Sequence, residues 1–142
     1  MFIGEYQHSL DEKGRVTVPS KYREQLGESF VLTKGLDGCL FIYTQNEWAN
    51  FEQKLKNLPL TNTNARKFVR FFLSGAVECA TDKQGRILIP SALRVYSFIE
   101  KDIVFIGMSN RIEVWSLEKW QAYNDEDIDV ELLASQMEEL GI

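Results

Sequence analysis

The sequence predicts an α+β fold made of two pseudo-symmetric copies of one small β-hairpin unit, with flanking helices. Three observations carry that prediction: a string that recurs at an offset of 71 residues, short β-branched runs closed by Gly and Pro, and apolar residues at helical spacing at the end of each copy.

The repeat is read directly. Asp11-Glu-Lys-Gly-Arg-Val-Thr-Val-Pro-Ser-Lys-Tyr-Arg23 stands beside Asp82-Lys-Gln-Gly-Arg-Ile-Leu-Ile-Pro-Ser-Ala-Leu-Arg94, with Asp, Gly, Arg, Pro, Ser and Arg in register. Gly4 and Gly75 keep the offset upstream. Downstream it becomes 72, so that Gly35 matches Gly107, Tyr43 matches Trp115 and Trp48 matches Trp120. The period exceeds that of solenoid repeats, which marks a duplicated unit rather than a stacking array.

Within each copy, Asp-x-x-Gly is a turn signal, because Asp bonds the turn backbone and Gly tolerates positive φ. Gly14 and Gly85 with Asp11 and Asp82 are therefore the turn-structuring residues. Arg-Val-Thr-Val and Arg-Ile-Leu-Ile follow as short strands, each closed by a Pro that has no N–H for a ladder. Ser20 and Ser91 are expected to cap one or two helical turns, the first ended by Gly27. A hairpin follows, Phe30 to Thr33, a Gly35-Leu-Asp-Gly38 turn, then Leu40 to Tyr43. Its counterpart runs Ile103 to Ile106, Gly107-Met-Ser-Asn110, then Ile112 to Trp115.

Thr44-Gln-Asn-Glu47 has capping-box form, after which Trp48, Phe51, Leu55 and Leu58 share a face until Pro59. Ser116 is expected to cap the corresponding helix through Trp120. Between the copies, Asn64 to Leu73 reads as a helix with Phe68, Phe71 and Phe72 toward the core. The helical spacing of these aromatics and of Trp48 and Trp120 favours core packing over base stacking. The expected organisation is a first repeat over 1–60 (core about 5–48), an inter-repeat helix over 61–74, a second repeat over 75–123 (core about 76–120) and an acidic tail over 124–142, partly helical.

Composition sets the class. Of the 142 residues 44% are hydrophobic and 26% charged, as in an ordinary globular protein. No apolar run approaches the length needed to cross a bilayer. The opening MFIGEYQHSLDEKGR lacks a basic region followed by an apolar stretch, so no export signal and a cytosolic location are expected. Cys39 and Cys79 sit in strand-like apolar runs without metal-ligand spacing and read as inert thiols rather than a redox pair. His8, the only histidine, reads as a turn or surface residue rather than a catalytic base. No metal ligand set and no cofactor motif is recognised.

Net charge is −5, but it is unevenly spread. Met1 to Leu117 carries 15 basic and 13 acidic residues, net +2, whereas Glu118 to Ile142 carries eight acids and one Lys, net −7. The acidity is mostly a tail, and Leu133, Met137 and Leu140 give that tail a weak helical pattern. Packing on a neighbouring subunit, competition with DNA for the basic turns, and solubilisation all fit it.

The doubled Asp-x-x-Gly-Arg-(β)-x-(β)-Pro string, after Met1-Phe-Ile-Gly-Glu-Tyr6 and with Ser74-Gly75-Ala76 before the second copy, resembles the MraZ family of bacterial transcription regulators. The resemblance runs to about Leu117 or Trp120. It implies two tandem modules like those of the AbrB/SpoVT DNA-binding fold, hairpins interleaved about a pseudo-twofold axis in a small barrel-like core. It also implies ring-like homo-oligomers, and binding to repeated sites on double-stranded DNA upstream of the cell-division and cell-wall gene cluster that contains the family's own gene. Gln84 stands where the first copy has Lys13, and Leu88 where it has Thr17, so the two copies need not contact DNA equally.

The residues support the same chemistry independently. Turns that present Lys13 with Arg15, and Lys83 with Arg86, can meet phosphates as point charges, or guanine O6 and N7 through a guanidinium fork. These four are the candidate DNA-binding residues. The alternative is that Asp11–Arg15 and Asp82–Arg86 are internal pairs holding each turn closed. The reading favours a structural role for the aspartates and nucleic-acid contact for the arginines, since guanidinium has five donors to share. Arg66, Lys67 and Arg70 form a second basic cluster on the inter-repeat helix, read as a solvated face or an intersubunit ion pair in preference to a further DNA contact. No enzyme motif is present, so no catalytic residue is expected. The rival to a DNA-binding regulator is a ring-forming scaffold that binds other proteins.

Overall fold

The computed structural model describes residues 1–125 and 129–142. Its elements, in chain order, are β1 (Glu5–Ser9), β2 (Arg15–Thr17), α1 (Ser20–Leu26), β3 (Phe30–Lys34), β4 (Leu40–Thr44), α2 (Gln45–Lys56) and α3 (Thr63–Gly75). The second copy then supplies β5 (Val77–Cys79), β6 (Arg86–Leu88), α4 (Ser91–Ser97), β7 (Asp102–Gly107), β8 (Ile112–Ser116) and α5 (Leu117–Asp125), followed by α6 (Val130–Met137). Helix and antiparallel sheet both occur, and the fold is α+β.

The strands form a six-stranded sheet, ordered β1-β7-β8-β4-β3-β5, and a separate two-stranded ribbon, β2-β6. Every pairing is antiparallel. The two copies interleave. β1 adds to the β7–β8 hairpin of the second copy, and β5 adds to the β3–β4 hairpin of the first. β4 meets β8 at the middle of the sheet, and β2 meets β6 in the ribbon, with Val16 opposite Ile87. Both ends of the ribbon extend this symmetry, since Val18 N–H donates to Gly85 C=O at 2.9 Å and Ile89 N–H donates to Gly14 C=O at 3.0 Å.

Alternation along the strands sorts side chains onto two faces. Phe30, Leu32, Leu40, Ile42, Ile103, Phe105, Ile112 and Val114 face the ribbon, where Val16, Val18, Ile87 and Ile89 complete one buried cluster. The opposite face carries Phe41, Tyr43, Val104, Ile106 and Trp115, covered by Leu55, Phe51, Phe72 and Trp120 from α2, α3 and α5. With both faces covered, the four central strands are buried nearly throughout, which explains their continuous apolar runs. The result is three layers: ribbon with α1 and α4, sheet, and outer helices.

Local signals account for most element ends. Thr44 Oγ1 accepts Glu47 N–H at 3.1 Å and starts α2, and Asn62 Oδ1 accepts Ala65 N–H at 3.0 Å and starts α3; such caps contribute about 1 kcal/mol each. The hairpin turns match as well, with Asp37 and Ser109, 72 positions apart, both at positive φ (64° and 66°). Among the described residues no helix is long and apolar enough to cross a membrane.

Several expectations are corrected. Ser20 and Ser91 are the first helical residues rather than caps. The cap positions are Pro19 and Pro90, whose carbonyls accept the first helical N–H groups and which offer no side-chain oxygen. Phe68 is exposed, with its ring edge-on to Phe72, because it lies one turn before the buried end of the α3 stripe. Leu58 lies beyond α2 and is exposed, since the helix ends at Lys56. α5 continues past Trp120 to Asp125. His8 is neither in a turn nor fully exposed: it is half-buried in β1 against the edge of Phe105, and burial first, then Arg23, lowers its pKa. Both cysteines are free, and burial pushes the Cys39 thiol up strongly and that of Cys79 to about 11.

Candidate nucleic-acid interface

The two Asp-x-x-Gly turns have the same geometry. In the first, Asp11 Oδ1 accepts the N–H groups of Lys13 and Arg15, both at 2.9 Å. Asp11 Oδ2 accepts Arg15 Nε at 2.8 Å, and Gly14 N–H closes the turn on Asp11 C=O at 3.1 Å. In the second, Asp82 Oδ1 accepts Gln84 and Arg86 N–H at 2.9 Å, Oδ2 accepts Arg86 Nε at 2.9 Å, and Gly85 N–H reaches Asp82 C=O at 2.9 Å. A carboxylate that collects two backbone donors and a guanidinium is favoured in its charged form. The Arg15 and Arg86 N–H groups are the leading causes that hold Asp11 and Asp82 below the usual carboxylate pKa, and the guanidinium side chains add to them.

The internal ion pairs are thus real, and they use the Nε of each arginine. The terminal nitrogens of Arg15 have no ion pair among the described residues. Arg86 is held further, because its Nη1 lies 3.7 Å from Asp11 Oδ2 across the ribbon. The Arg15 side chain is 34% exposed and that of Arg86 27%. Lys13 and Lys83 are exposed at the turn tips. All four sequence-predicted residues therefore lie on one structural unit, the β2–β6 ribbon and the turns that lead into it.

The ribbon register explains how. Arg15 is opposite Leu88 and Thr17 is opposite Arg86, so these four share the face away from the core, while Val16 and Ile87 point inward. The outer face is accordingly two arginines on one diagonal with Thr17 and Leu88 on the other. Leu88 is 54% exposed, an apolar residue where symmetry has a threonine.

Two functional candidates were not singled out from sequence. A Cβ on Gly14 would stand 2.9 Å from Cζ of Arg94, and the guanidinium of Arg23 likewise occupies the space beside Gly85. Each copy's helix thus packs an arginine on the other copy's turn. Both glycines have positive φ (82° and 76°), so glycine is required there for backbone conformation and for close approach. The Nε of Arg94 is buried without a hydrogen-bond partner among the described residues. Retention of Arg23 and Arg94 at the end of each repeated string was the available signal.

This doubled unit agrees with the comparisons to known proteins. The sequence model of the MraZ protein family matches residues 1–71 and again 72–140. The chain is 63% identical over 142 residues to "Transcriptional regulator MraZ" of Clostridium tetani (strain Massachusetts / E88), with the whole of both chains covered. It is 59% identical to the protein of that name from Clostridium acetobutylicum and 58% identical to that of Thermoanaerobacter sp. (strain X514), again over the full length of both chains. With a ribbon built from two matching turns, two matches to one family model and full-length identity near 60%, the chain belongs to the MraZ family.

Proposed function

We propose that this protein is a transcriptional regulator that binds duplex DNA sequence-specifically, as a homo-oligomer, on repeated sites upstream of the cell-division and cell-wall gene cluster containing its own gene. It works in the cytoplasm, on the nucleoid. The observation that carries this reading is the outward diagonal of Arg15 and Arg86 on the β2–β6 ribbon, flanked by exposed Lys13 and Lys83. A two-stranded ribbon fits the width of the major groove, and a guanidinium whose Nε is fixed by Asp presents its terminal nitrogens in a defined plane to guanine O6 and N7. Lys13 and Lys83 contact phosphate and set position, whereas the arginines specify sequence. Arg23 and Arg94, packed against the opposite turns, supply further positive charge at each end of the ribbon.

A net +2 on residues 1–117 is small for a single DNA-binding unit. Oligomerisation compensates, since several ribbons on one assembly engage repeated sites at high effective concentration. The extra tether on Arg86 makes the first copy the stronger reader, while Lys83 in place of Glu12 offsets the Lys13-to-Gln84 difference.

Footprinting on DNA upstream of the gene, with anisotropy titrations in rising KCl, tests this. Protection of repeated boxes is expected, with log K falling about 0.9 per phosphate neutralised as log salt rises. Affinity indifferent to salt, or no protected box, would overturn the reading.

A further inference from the structure

Two surfaces remain outside the ribbon, and their chemistry is complementary. The first is α6 with the turn after it. Val130, Leu133, Met137 and Leu140 recur at three- and four-residue spacing along one stripe, and Val130, Leu133 and Leu140 are exposed. Asp129, Glu131, Glu138 and Glu139 make the segment acidic, and among the described residues it carries no Lys or Arg. The helix is well formed, with Asp129 Oδ1 accepting Leu132 N–H at 3.1 Å, yet among the described residues its apolar stripe joins neither buried cluster.

The second surface is the groove between α2 and α3, a cavity of about 340 Å³ floored by Leu55, Leu58, Leu60 and Val69. Its rim is Lys56, Arg66 and Arg70, and no acidic residue among the described residues lines it. Lys56 approaches Glu52 at 3.4 Å, and Arg66 donates to Leu60 C=O at 3.0 Å and to Thr63 Oγ1 at 3.4 Å. Arg70 is exposed and free of ion pairs among the described residues. The larger cleft beside α5 is a poorer match for an acidic helix, because Glu100, Asp102 and Glu118 offset Lys101 and Lys119 there.

We infer that α6 of one chain docks, apolar stripe down, in the α2–α3 groove of a second copy, with Glu131, Glu138 and Glu139 against the Arg66 and Arg70 rim. This rests on the self-association proposed above and names the surfaces that make it. Helix-in-groove recognition needs an apolar stripe with spaced anchors and a matching trough, and this chain carries one of each. Because helix and groove are different surfaces, the contact is head-to-tail, and successive copies close into a ring or run on as a filament. One short helix covers a small area, so each contact is weak alone and gains strength from ring closure.

Size-exclusion chromatography with light scattering on the full chain tests this, using Leu133→Glu, Val69→Glu and Arg70→Glu, each checked for folding by circular dichroism. The wild type is expected to assemble. Leu133→Glu and Val69→Glu should each raise the dissociation concentration by about tenfold or more. Arg70→Glu should weaken assembly, and combining it with Glu138→Lys and Glu139→Lys should restore it. A wild type that is monomeric at every concentration overturns the self-association reading itself. An assembled wild type that tolerates both Leu133→Glu and Val69→Glu overturns the docking alone, as does dissociation by only one of them. If Val69→Glu does not fold, failure of the charge swap to restore Arg70→Glu overturns it instead.

Discussion

Arg86 of the second copy reaches Asp11 of the first, Nη1 to Oδ2 at 3.7 Å, and no ion pair from Arg15 to Asp82 balances it among the described residues. Asp11 thus serves two guanidinium groups and Asp82 one. The pseudo-twofold symmetry of the ribbon is broken at its charged face.

That asymmetry ranks the arginines. Arg15→Ala should lose about 1–3 kcal/mol of specific DNA binding, the value of a good bidentate contact, and Arg86→Ala should lose less. Lys54→Ala, on the exposed side of α2, should leave affinity unchanged. Anisotropy with a promoter fragment measures all three, and equal affinities for Arg15→Ala and Lys54→Ala would count against turn-tip readout.

Acid titrates the turns. Asp11 and Asp82 have pKa values below the ordinary carboxylate value in the folded state. The stability they contribute is therefore present above about pH 4 and is lost as pH falls through their lowered folded values. Asp11→Asn should be less stable than wild type at pH 7, and the gap should narrow on acidification. Urea midpoints from pH 7 to pH 3 measure it; a constant gap would show that Asp11 acts without its charge.

The glycines have two separate constraints, and a double-mutant cycle separates them. Gly14→Ala should cost about 1–3 kcal/mol from positive φ together with the approach of Arg94. Adding Arg94→Ala should recover the part due to crowding and none of the part due to φ, giving a non-zero coupling in urea denaturation. Additive losses would mean that Arg94 yields freely.

Leu88→Thr restores symmetry to the outer face. Leu88 packs on no core cluster, so stability should change by less than about 0.5 kcal/mol. Sequence preference should shift at one position, because an apolar contact is exchanged for a hydroxyl, while the salt dependence stays the same. Binding-site selection on random DNA reads the change.

Much of this architecture was legible in the linear sequence. The strands β2 to β4 and β6 to β8, both hairpin turns and the Thr44 cap follow from β-branched and apolar runs, turn residues and side-chain oxygens, all local effects, whereas β1 carries no such mark. Partner choice was not legible from the residues alone, because β1 carries no local mark that it pairs with β7 rather than β3. The same holds at the interface. The pairing of Asp11 with Arg15 is four residues long and visible, whereas the packing of Arg94 on Gly14 spans eighty positions. The serine caps were misplaced by one residue because the Pro19 and Pro90 carbonyls take that position. Phe68 was misassigned because it shares the face of Phe71 and Phe72 but lies a turn nearer the exposed start of α3, which helical spacing alone does not reveal.

The interleaving of the copies also sets a schedule for synthesis. Glu5 is hydrogen-bonded beside Ile106, so β1 has no partner strand until about a hundred further residues have been translated. At roughly 5–20 residues per second that is a wait of several seconds to tens of seconds, during which the β4 edge of the β3–β4 hairpin also stands open, because its partner β8 comes later still. Contacts of such long sequence separation also slow the final closure. The newborn first half is therefore the stage at which this protein is most exposed to wrong partners, including the first half of a neighbouring nascent chain.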